Sequence, residues 1–206
     1  SKYLIETVIR TLKMGHLFTQ GTADSNEVWM DVTVTSGDRV IGRSGGIDGQ
    51  SQVDPWSYFV NVFLLDRDGN RINRRNPQDI FVPLYNHQIP PGAAAVVHYE
   101  LEVPPDVAAP LTVEIKLQYR KFDQEYLRFV ANAAQPGDLP IRGHTAGQPY
   151  HNELPITTLA LDRLTFPVAG VEGGAPPENP TPKIEPWQRW NDYGIGLFLE
   201  GKAELR

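Results

Sequence analysis

The chain has 206 residues with 19 Lys or Arg against 25 Asp or Glu, and the resulting formal net charge of −6 argues against a nucleic-acid or anionic-membrane surface. It contains no cysteine, which excludes disulfides, cysteine-based zinc sites, thiol nucleophiles and covalent attachment of c-type haem within this sequence. Its 18 glycines and 18 prolines are spread along the chain as turn residues, which favours many short strands over helices.

Alternation of apolar and polar residues predicts a series of strands in chain order. The expected strands cover residues 3–12, 27–35, 39–43, 58–65, 80–85, 95–103, 111–119 and 154–168. Their hairpin spacing indicates an all-β fold, an antiparallel β-sandwich of Ig-like or jelly-roll-like type over residues 1–168. Val113, Ile115 and Leu117 share one face of their strand, and we expect that face to point inward.

Three local signals refine this prediction. Asp68-Gly69 is typical of a tight hairpin turn, so a return strand is expected to begin at Arg71. Pro83 favours a sheet edge for the strand over residues 80–85. Residues 123–132 are expected to form a short helix.

The last part of the chain follows a different pattern. Residues 169–186 are rich in proline and glycine and are predicted to be a semi-rigid linker. In residues 187–206 the spacing becomes helical, with Trp190, Tyr193, Leu197 and Phe198 on one apolar face. We expect this helix to pack on the sandwich or on a neighbouring molecule, and to bury Trp190 and Phe198.

Two motifs resemble catalytic or metal-binding signatures but lack the required context. Residues 42–46 fit G-x-S-x-G, yet a nucleophile elbow needs a helix after the serine, and the residues that follow Ser44 cannot start one. Residues 66–70 resemble a calcium loop, but Gly69 stands at position four where an EF-hand has its glycine at six. We therefore predict that Ser44 is not catalytic and that the chain is not an enzyme.

A cluster of acidic and amide side chains is the best candidate for a metal site. Asp24, Asn26 and Glu27 lie at the start of one predicted strand, and Asp48 and Asp54 lie beyond the end of another, so the five are expected to converge on one rim of the sandwich. Hard oxygen ligands of this kind suit Ca²⁺. The alternative use of such residues is to form turns through their own hydrogen bonds.

Aromatic residues keep a second function class open. Trp29, Trp56 and Tyr58 would stack on sugar rings if they face solvent, whereas the alternation around Trp29 favours a place in the core. A carbohydrate- or calcium-binding β-sandwich is therefore the alternative to a purely structural domain.

Residues 15–29 resemble a stretch of the β domain that follows the haem-binding part of many exported multihaem c-type cytochromes. The shared features are Gly15-His16, Phe18, Gly21, Asp24, Glu27 and Trp29. Thr19 stands where the family pattern has proline. With further matching features at residues 40–45, 65–70 and 89–92, the resemblance covers roughly residues 3–122.

The helical tail resembles the opening helix of a tetratricopeptide repeat, through Trp190, Tyr193-Gly194, Leu197, Gly201 and Ala203. Together the resemblances imply a non-catalytic structural and docking domain of a larger multihaem cytochrome–tetratricopeptide-repeat protein, located in the periplasm or outside the cell. They imply an electron-transfer context in which haem is held by the parent protein. The implied partners are the neighbouring haem and repeat domains and proteins bound by the repeats, with no nucleic acid and no membrane span.

His16 is the residue that this resemblance connects to a cofactor. It lies in a loop bounded by Gly15 and Gly21, with Phe18 close by to shield an apolar site. Neutral imidazole is a common haem-iron ligand. We predict that His16 is an interface residue that approaches a haem of another domain in the intact protein, with distal axial ligation as the specific form of that contact. The alternative is an ordinary loop histidine that is exposed or bonded to a loop carbonyl.

Overall fold

A computed structural model describes residues 1–21, 23–135, 137–171, 179–180 and 183–200. The strands are β1 (Lys2–Arg10), β2 (Glu27–Ser36), β3 (Arg39–Ser44), β4 (Val62–Leu65), β5 (Val82–Asn86), β6 (Ala94–Glu102), β7 (Leu111–Arg120) and β8 (Ile156–Phe166). The α-helices are α1 (Gln124–Ala133) and α2 (Pro186–Glu200), and a single 3₁₀ turn covers Pro77–Asp79.

The described strands form three antiparallel sheets. The largest has the order β3-β2-β7-β8, and the others are the pairs β1–β6 and β4–β5. The four-stranded sheet and the β1–β6 pair face each other across the main core, which confirms the predicted β-sandwich. The described part of the chain contains no helix that is both long enough and apolar enough to cross a membrane.

Side chains from both layers fill the core. One apolar cluster joins Ile9 of β1 and Val97 of β6 to Met30 of β2 and Leu117 of β7. A second cluster extends the core through Val34, Leu101, Val103 and Val113. Burial of such a side chain contributes about 1.5 to 3 kcal/mol, so these contacts hold the two layers together. The inward face predicted for Val113, Ile115 and Leu117 is confirmed, with Ile115 packed against both clusters.

The other face of β2 is covered as well. Trp29 is only 1% exposed, and its indole N–H donates a hydrogen bond to the carbonyl of Gly45 at 3.1 Å. Gly45 follows β3 with φ +79°, and a Cβ there would lie 2.1 Å from the carbonyl oxygen of Met30. A backbone approach this close requires glycine. The chain after β3 therefore folds back over β2 and encloses Trp29.

The short helix α1 confirms the prediction over residues 123–132. Asp123 is its N-cap, since its side chain accepts the backbone N–H of Tyr126 at 2.6 Å. Leu127 and Ala131 pack with Tyr150 in a small satellite core. This cap fixes where α1 begins and places the next side chains beside the end of β7.

Helix α2 packs on the outer face of the β1–β6 sheet. Asp192 forms a salt bridge with Arg10 at 2.8 Å, and the hydroxyl of Tyr193 donates to Glu6 at 2.6 Å. Gly196 brings the helix backbone close to the sheet, because a Cβ there would lie 2.5 Å from Val96 Cγ2. The predicted helix is confirmed as far as Glu200.

The face that α2 buries differs from the predicted one. Trp190 remains 72% exposed and Phe198 64% exposed. The sheet beneath α2 presents Glu6 and Arg10, and these polar groups pair with Asp192 and Tyr193 on the helix. The polar pairs and the close contact of Gly196 with Val96 therefore determine which side of the helix faces the sheet. Residues 201–206, and residues 172–178 and 181–182 of the predicted linker, lie outside the described part.

The return strand expected at Arg71 is reduced to one isolated bridge between Leu65 and Arg71. The turn itself is present, with the N–H of Asp66 bonded to the carbonyl of Asn70 at 2.9 Å. β4 pairs instead with β5, and a register shift between Phe63 and Leu64 lies at the level of Pro83. Pro83 therefore lies in a two-stranded sheet, in which each strand is an edge strand. This position suits proline because it has no N–H to donate to a second neighbouring strand.

Candidate functional site

A polar cavity of about 150 Å³ lies where the start of β2 meets the start of α1. Its polar lining includes Asn26, Glu27, Asn61, Asp123, Gln124 and Glu125. These residues come from three separate parts of the chain. The pairing of β2 with β7 and the N-cap of α1 bring two of the parts together, and the hydrogen bond from the Val60 N–H to the Val28 carbonyl at 2.8 Å brings Asn61 beside them.

Glu27 lines the cavity and is paired with Arg120, which is buried and is not part of the lining. The two residues are directly opposite in the β2–β7 register, and Arg120 Nε donates to Glu27 Oε2 at 2.7 Å. Arg120 is 1% exposed and also donates to the carbonyl of Ser51 at 2.9 Å. Desolvation raises the pKa of Glu27 to about 7, against the opposing attraction of Arg120.

Asp123 and Gln124 form the side of the cavity nearest α1. Desolvation raises the pKa of Asp123 to about 6, while its hydrogen bond from the Tyr126 N–H acts in the opposite direction. The Gln124 amide is held in one orientation because its Nε2 donates to the carbonyl of Tyr150 at 2.7 Å. Its oxygen is therefore the atom left for other partners.

Three amide oxygens at the cavity have no hydrogen-bond donor among the described residues: Asn26 Oδ1, Asn61 Oδ1 and Gln124 Oε1. Asn61 is 5% exposed and Gln124 is 2% exposed. Buried polar atoms are nearly always paired in folded proteins, because an unpaired one costs the full desolvation penalty. The three oxygens are themselves inaccessible, so these unpaired acceptors lie within the wall of the cavity and do not face its open volume.

Arg71 lines the cavity and pairs with its carboxylates. Its Nη1 donates a hydrogen bond to Glu125 at 3.4 Å, and its Nη2 lies 3.9 Å from Asp123. Its guanidinium also lies over the ring of Phe63 at 4.8 Å. Phe63 continues into an aromatic stack in which Tyr85 and Tyr58 lie on His87, with centroid separations of 4.5 and 4.8 Å.

The five predicted calcium ligands do not form one site. Asp24 accepts the backbone N–H of Arg75 at 3.0 Å. Asp48 accepts two amides of its own turn, and Asp54 accepts those of Gly45 and Trp56. Among the described residues, no group of three or more His, Cys, Asp or Glu side chains is placed to hold a metal. Asp48 and Asp54 accept amides of their own turns, Asp24 ties its loop to the distant Arg75, and Asn26 and Glu27 remain at the cavity.

His16 is exposed, with its Nδ1 2.8 Å from the carbonyl oxygen of Leu17. Its loop is tied to the segment after β5, because the N–H of Phe18 bonds to the carbonyl of Ile89 at 2.9 Å. The side chain of Gln88 donates to the carbonyl of Thr19 at 3.0 Å. The approach of His16 to a haem stays a prediction.

The aromatic residues considered for sugar binding occupy different environments. Trp29 is in the core, Trp56 is 91% exposed, and Tyr58 stacks on His87. They do not form a single exposed platform. The core position that the alternation favours for Trp29 is confirmed, whereas Trp56 lies outside any strand and its exposure carried no signal in the sequence.

The serines near β3 do not form the geometry of a hydrolase. Ser44 ends β3, and the chain continues in bends and an Ile47–Val53 bridge. Ser51 Oγ lies 2.8 Å from Nε2 of His151 and 3.3 Å from its Nδ1, so the imidazole is side-on to the hydroxyl. A catalytic pair directs one nitrogen at the nucleophile.

Comparison with known proteins gives one distant structural relation. No protein-family model matches the chain, and no curated protein matches it. Its fold is similar to the crystal structure of a penta-heme cytochrome c552 from Thermochromatium tepidum, with a TM-score of 0.52 and 16% sequence identity. The similarity covers 80% of this chain and 36% of that chain, so the protein spans about a third of the length of that cytochrome. At this identity the likeness is one of fold.

Proposed function

We propose that the chain is a non-catalytic structural and docking domain of a larger, exported multihaem cytochrome, and that α2 opens a tetratricopeptide repeat. The fold similarity to a penta-heme cytochrome c552 supports this proposal most directly, since it extends over 80% of the chain. The resemblance of residues 15–29 to the β domain of such cytochromes points the same way. Haem would be held elsewhere in the parent protein, because this sequence has no cysteine to attach it.

The surface that we assign to the haem part lies along β5 and the His16 loop. Phe81 is 60% exposed and Leu84 is 63% exposed, with Ile80 and Val82 also exposed. The backbone bond between Phe18 and Ile89 places the His16 loop beside the chain that leaves β5. An exposed apolar patch of this kind is typical of an interaction surface.

The first experiment examines the complete protein encoded by the gene. We expect C-x-x-C-H motifs in its reading frame and a pyridine haemochrome spectrum that shows covalently bound haem. A reading frame without such motifs would rule out the proposal. Changing Leu84→Ser in the complete protein should leave its haem content unchanged and lower the thermal stability of the haem part.

The second experiment tests His16. In the complete protein, His16→Ala should change the low-temperature optical and EPR signature of one haem, because its axial imidazole is lost. His144→Ala is the matched control, since His144 is an exposed loop histidine outside this surface. Identical spectra for the wild type and both variants would show that His16 ligates no haem and would leave the docking role to the Leu84 test.

A further inference from the structure

We propose that one side of α1 is a docking surface for an acidic segment of another polypeptide. The surface consists of three cationic side chains and the three aromatic rings beneath them: Arg74, Arg75, Lys121, Phe122, Tyr126 and Phe129. We call these six residues the cationic surface. It shares no residue with the surface assigned to the haem part, and the inference does not depend on the proposed function.

The three aromatic rings follow one face of α1. Phe122 directly precedes the N-cap, and Tyr126 and Phe129 follow it at helical spacing. Phe122 and Tyr126 are half-buried against the satellite core, and Phe129 is 41% exposed. The rings therefore have one side against the protein and the other side available to the cations.

Each cation lies over one of these rings. Arg74 is 5.0 Å from the ring centre of Phe129, Arg75 is 5.6 Å from that of Phe122, and Lys121 is 5.4 Å from the same Phe122 ring. Arg75 is also 5.9 Å from the ring centre of Tyr126. Such contacts occur roughly once per 70 to 80 residues in folded proteins. Their concentration on three neighbouring rings holds the three positive charges on one small surface.

The charged groups of this surface are not neutralised internally. In the described part of the chain, the guanidiniums of Arg74 and Arg75 and the ammonium of Lys121 form no salt bridge, whereas Arg71 of the same loop pairs with Glu125. An aromatic ring covers the face of a guanidinium and leaves the N–H groups at its edge accessible. Those edges bind carboxylates through two parallel hydrogen bonds. The two arginines therefore have donors available for carboxylates from outside the chain.

The loop that carries the two arginines is fixed before any partner binds. Asn73 Nδ2 donates to Glu125 at 2.6 Å, and the backbone N–H of Arg75 donates to Asp24 at 3.0 Å. Arg75 has φ +57°, a conformation that a non-glycine residue keeps only where its surroundings impose it. A surface ordered in advance loses less conformational entropy on binding, which favours recognition of a partner.

The distribution of charge selects a short acidic segment over a nucleic acid. The three cations carry +3 in a chain whose formal net charge is −6, so the remaining residues together carry −9. A short segment can contact the cationic surface alone, whereas an extended polyanion would also meet the surrounding negative charge. The rings are covered by the cations and are not free to stack on bases, as binding of a single-stranded nucleic acid requires.

The experiment is a titration of a fluorescein-labelled octaglutamate peptide with the 206-residue chain, followed by fluorescence anisotropy at about 20 mM salt. We expect a Kd on the order of 10⁻⁵ to 10⁻⁴ M, and binding about tenfold weaker or more at about 0.15 M salt, where the charges are screened. Amide shifts in NMR spectra should change chiefly in residues 71–75 and 121–129. A glycine–serine peptide of the same length is the control and should not bind.

Variants of Arg75 separate recognition of carboxylates from general attraction between charges. Arg75→Gln removes the charge and should weaken binding of octaglutamate about fivefold or more. Arg75→Lys keeps the charge but loses the paired N–H groups, and it should weaken binding about two- to threefold. Arg128→Gln is the matched control, because Arg128 is exposed on the same helix outside the cationic surface, and it should change affinity by less than about twofold.

Three results would overturn the proposal. The first is unchanged anisotropy of octaglutamate at low salt with the wild-type chain. The second is an equal loss of affinity in Arg75→Gln and Arg128→Gln, with both variants folded by circular dichroism, which would show attraction to net charge alone. The third is tighter binding of inorganic tripolyphosphate than of octaglutamate, which would assign the cationic surface to phosphate groups.

Discussion

Gly45 and Gly46 are neighbours in sequence, but a side chain would meet different surroundings at each. At Gly45 an added Cβ would lie 2.1 Å from the carbonyl oxygen of Met30, and φ is +79°. At Gly46 the nearest atom is Arg43 Nε at 3.8 Å, an ordinary contact. The turn after β3 thus depends on one glycine and tolerates replacement of the next.

We expect Gly45→Ala to lower the free energy of unfolding by about 3 kcal/mol or more, since the backbone clash and the left-handed conformation act together. Gly46→Ala should change it by less than about 0.5 kcal/mol. Thermal unfolding measures both, and the first variant should lose roughly 6 to 12 °C in Tm. Equal Tm values for the two variants would contradict the close approach of the chain to β2.

Only some of the residues that line the cavity could be identified from the sequence. Asn26 and Glu27 stand out in an acidic segment that precedes an alternating strand. Asn61 and Gln124 carry no such signal. Asn61 joins the cavity through the bonding of residues 58–60 to β2, and Gln124 joins it through the β2–β7 register and the cap of α1. Side chains that meet through tertiary pairing cannot be identified from spacing along one chain.

At the scale of elements, strands with a continuous alternating pattern are predicted almost to the residue. β2 and β7 each differ from the expected span by one residue at one end. The partner of β4 was not predictable, because its local turn favours a hairpin with Arg71 while β5 offers a longer apolar surface. Packing over several residues outweighs one favourable turn.

The buried face of helix α2 was likewise not predictable from the sequence of that helix alone. Its aromatic stripe is the stronger pattern in sequence, yet the sheet beneath it supplies a salt-bridge partner for Asp192 and a close contact with Val96 for Gly196. The hydrophobic pattern of one element therefore does not by itself determine which of its faces packs, because the opposing surface also contributes.

A pair of glycines in α2 tests this docking. Alanine normally stabilises a helix interior by up to about 1 kcal/mol relative to glycine, and Gly194→Ala should do so because nothing lies within 4 Å of its Cβ position. Gly196→Ala should instead destabilise the protein by about 1 to 3 kcal/mol, since the new methyl group would clash with Val96. Thermal unfolding gives the sign of each change. Limited proteolysis should cut α2 faster in Gly196→Ala, and equal protection in both variants would contradict the docked position.

At the scale of the whole molecule, the buried carboxylates set how stability depends on pH. Burial raises the pKa of Glu27 to about 7 and that of Asp123 to about 6, above their unfolded values of 4.5 and 3.8. The folded state therefore binds protons more tightly than the unfolded state in this window. The free energy of unfolding should fall as pH rises from about 4 to about 7.

We expect the free energy of unfolding to show this fall with rising pH when it is measured by urea unfolding between pH 5 and 8. Asp123→Asn should reduce the slope, by on the order of 2 kcal/mol across the window, because asparagine still caps α1 but does not titrate. Folding lowers the pKa of three other carboxyls, those of Asp66, Asp106 and Glu114. These groups change their charge below the measured pH range, so they do not affect the comparison of Asp123→Asn with the wild type. Rising stability between pH 5 and 7 in the wild type would contradict the burial of Glu27 and Asp123.

The pairing of β1 with β6 also determines the order in which the protein can assemble during synthesis. Lys2 and Glu100, which contact each other across this pair, are 98 residues apart in the chain. At a synthesis rate of roughly 5 to 20 residues per second, β1 waits about 5 to 20 s for its sheet partner β6. During that time β2 and β3 of the opposing layer are already made, but the backbone N–H and C=O groups of β1 have no strand to pair with. The nascent β1 is therefore where a holding chaperone would change the yield of folded protein without changing its final stability.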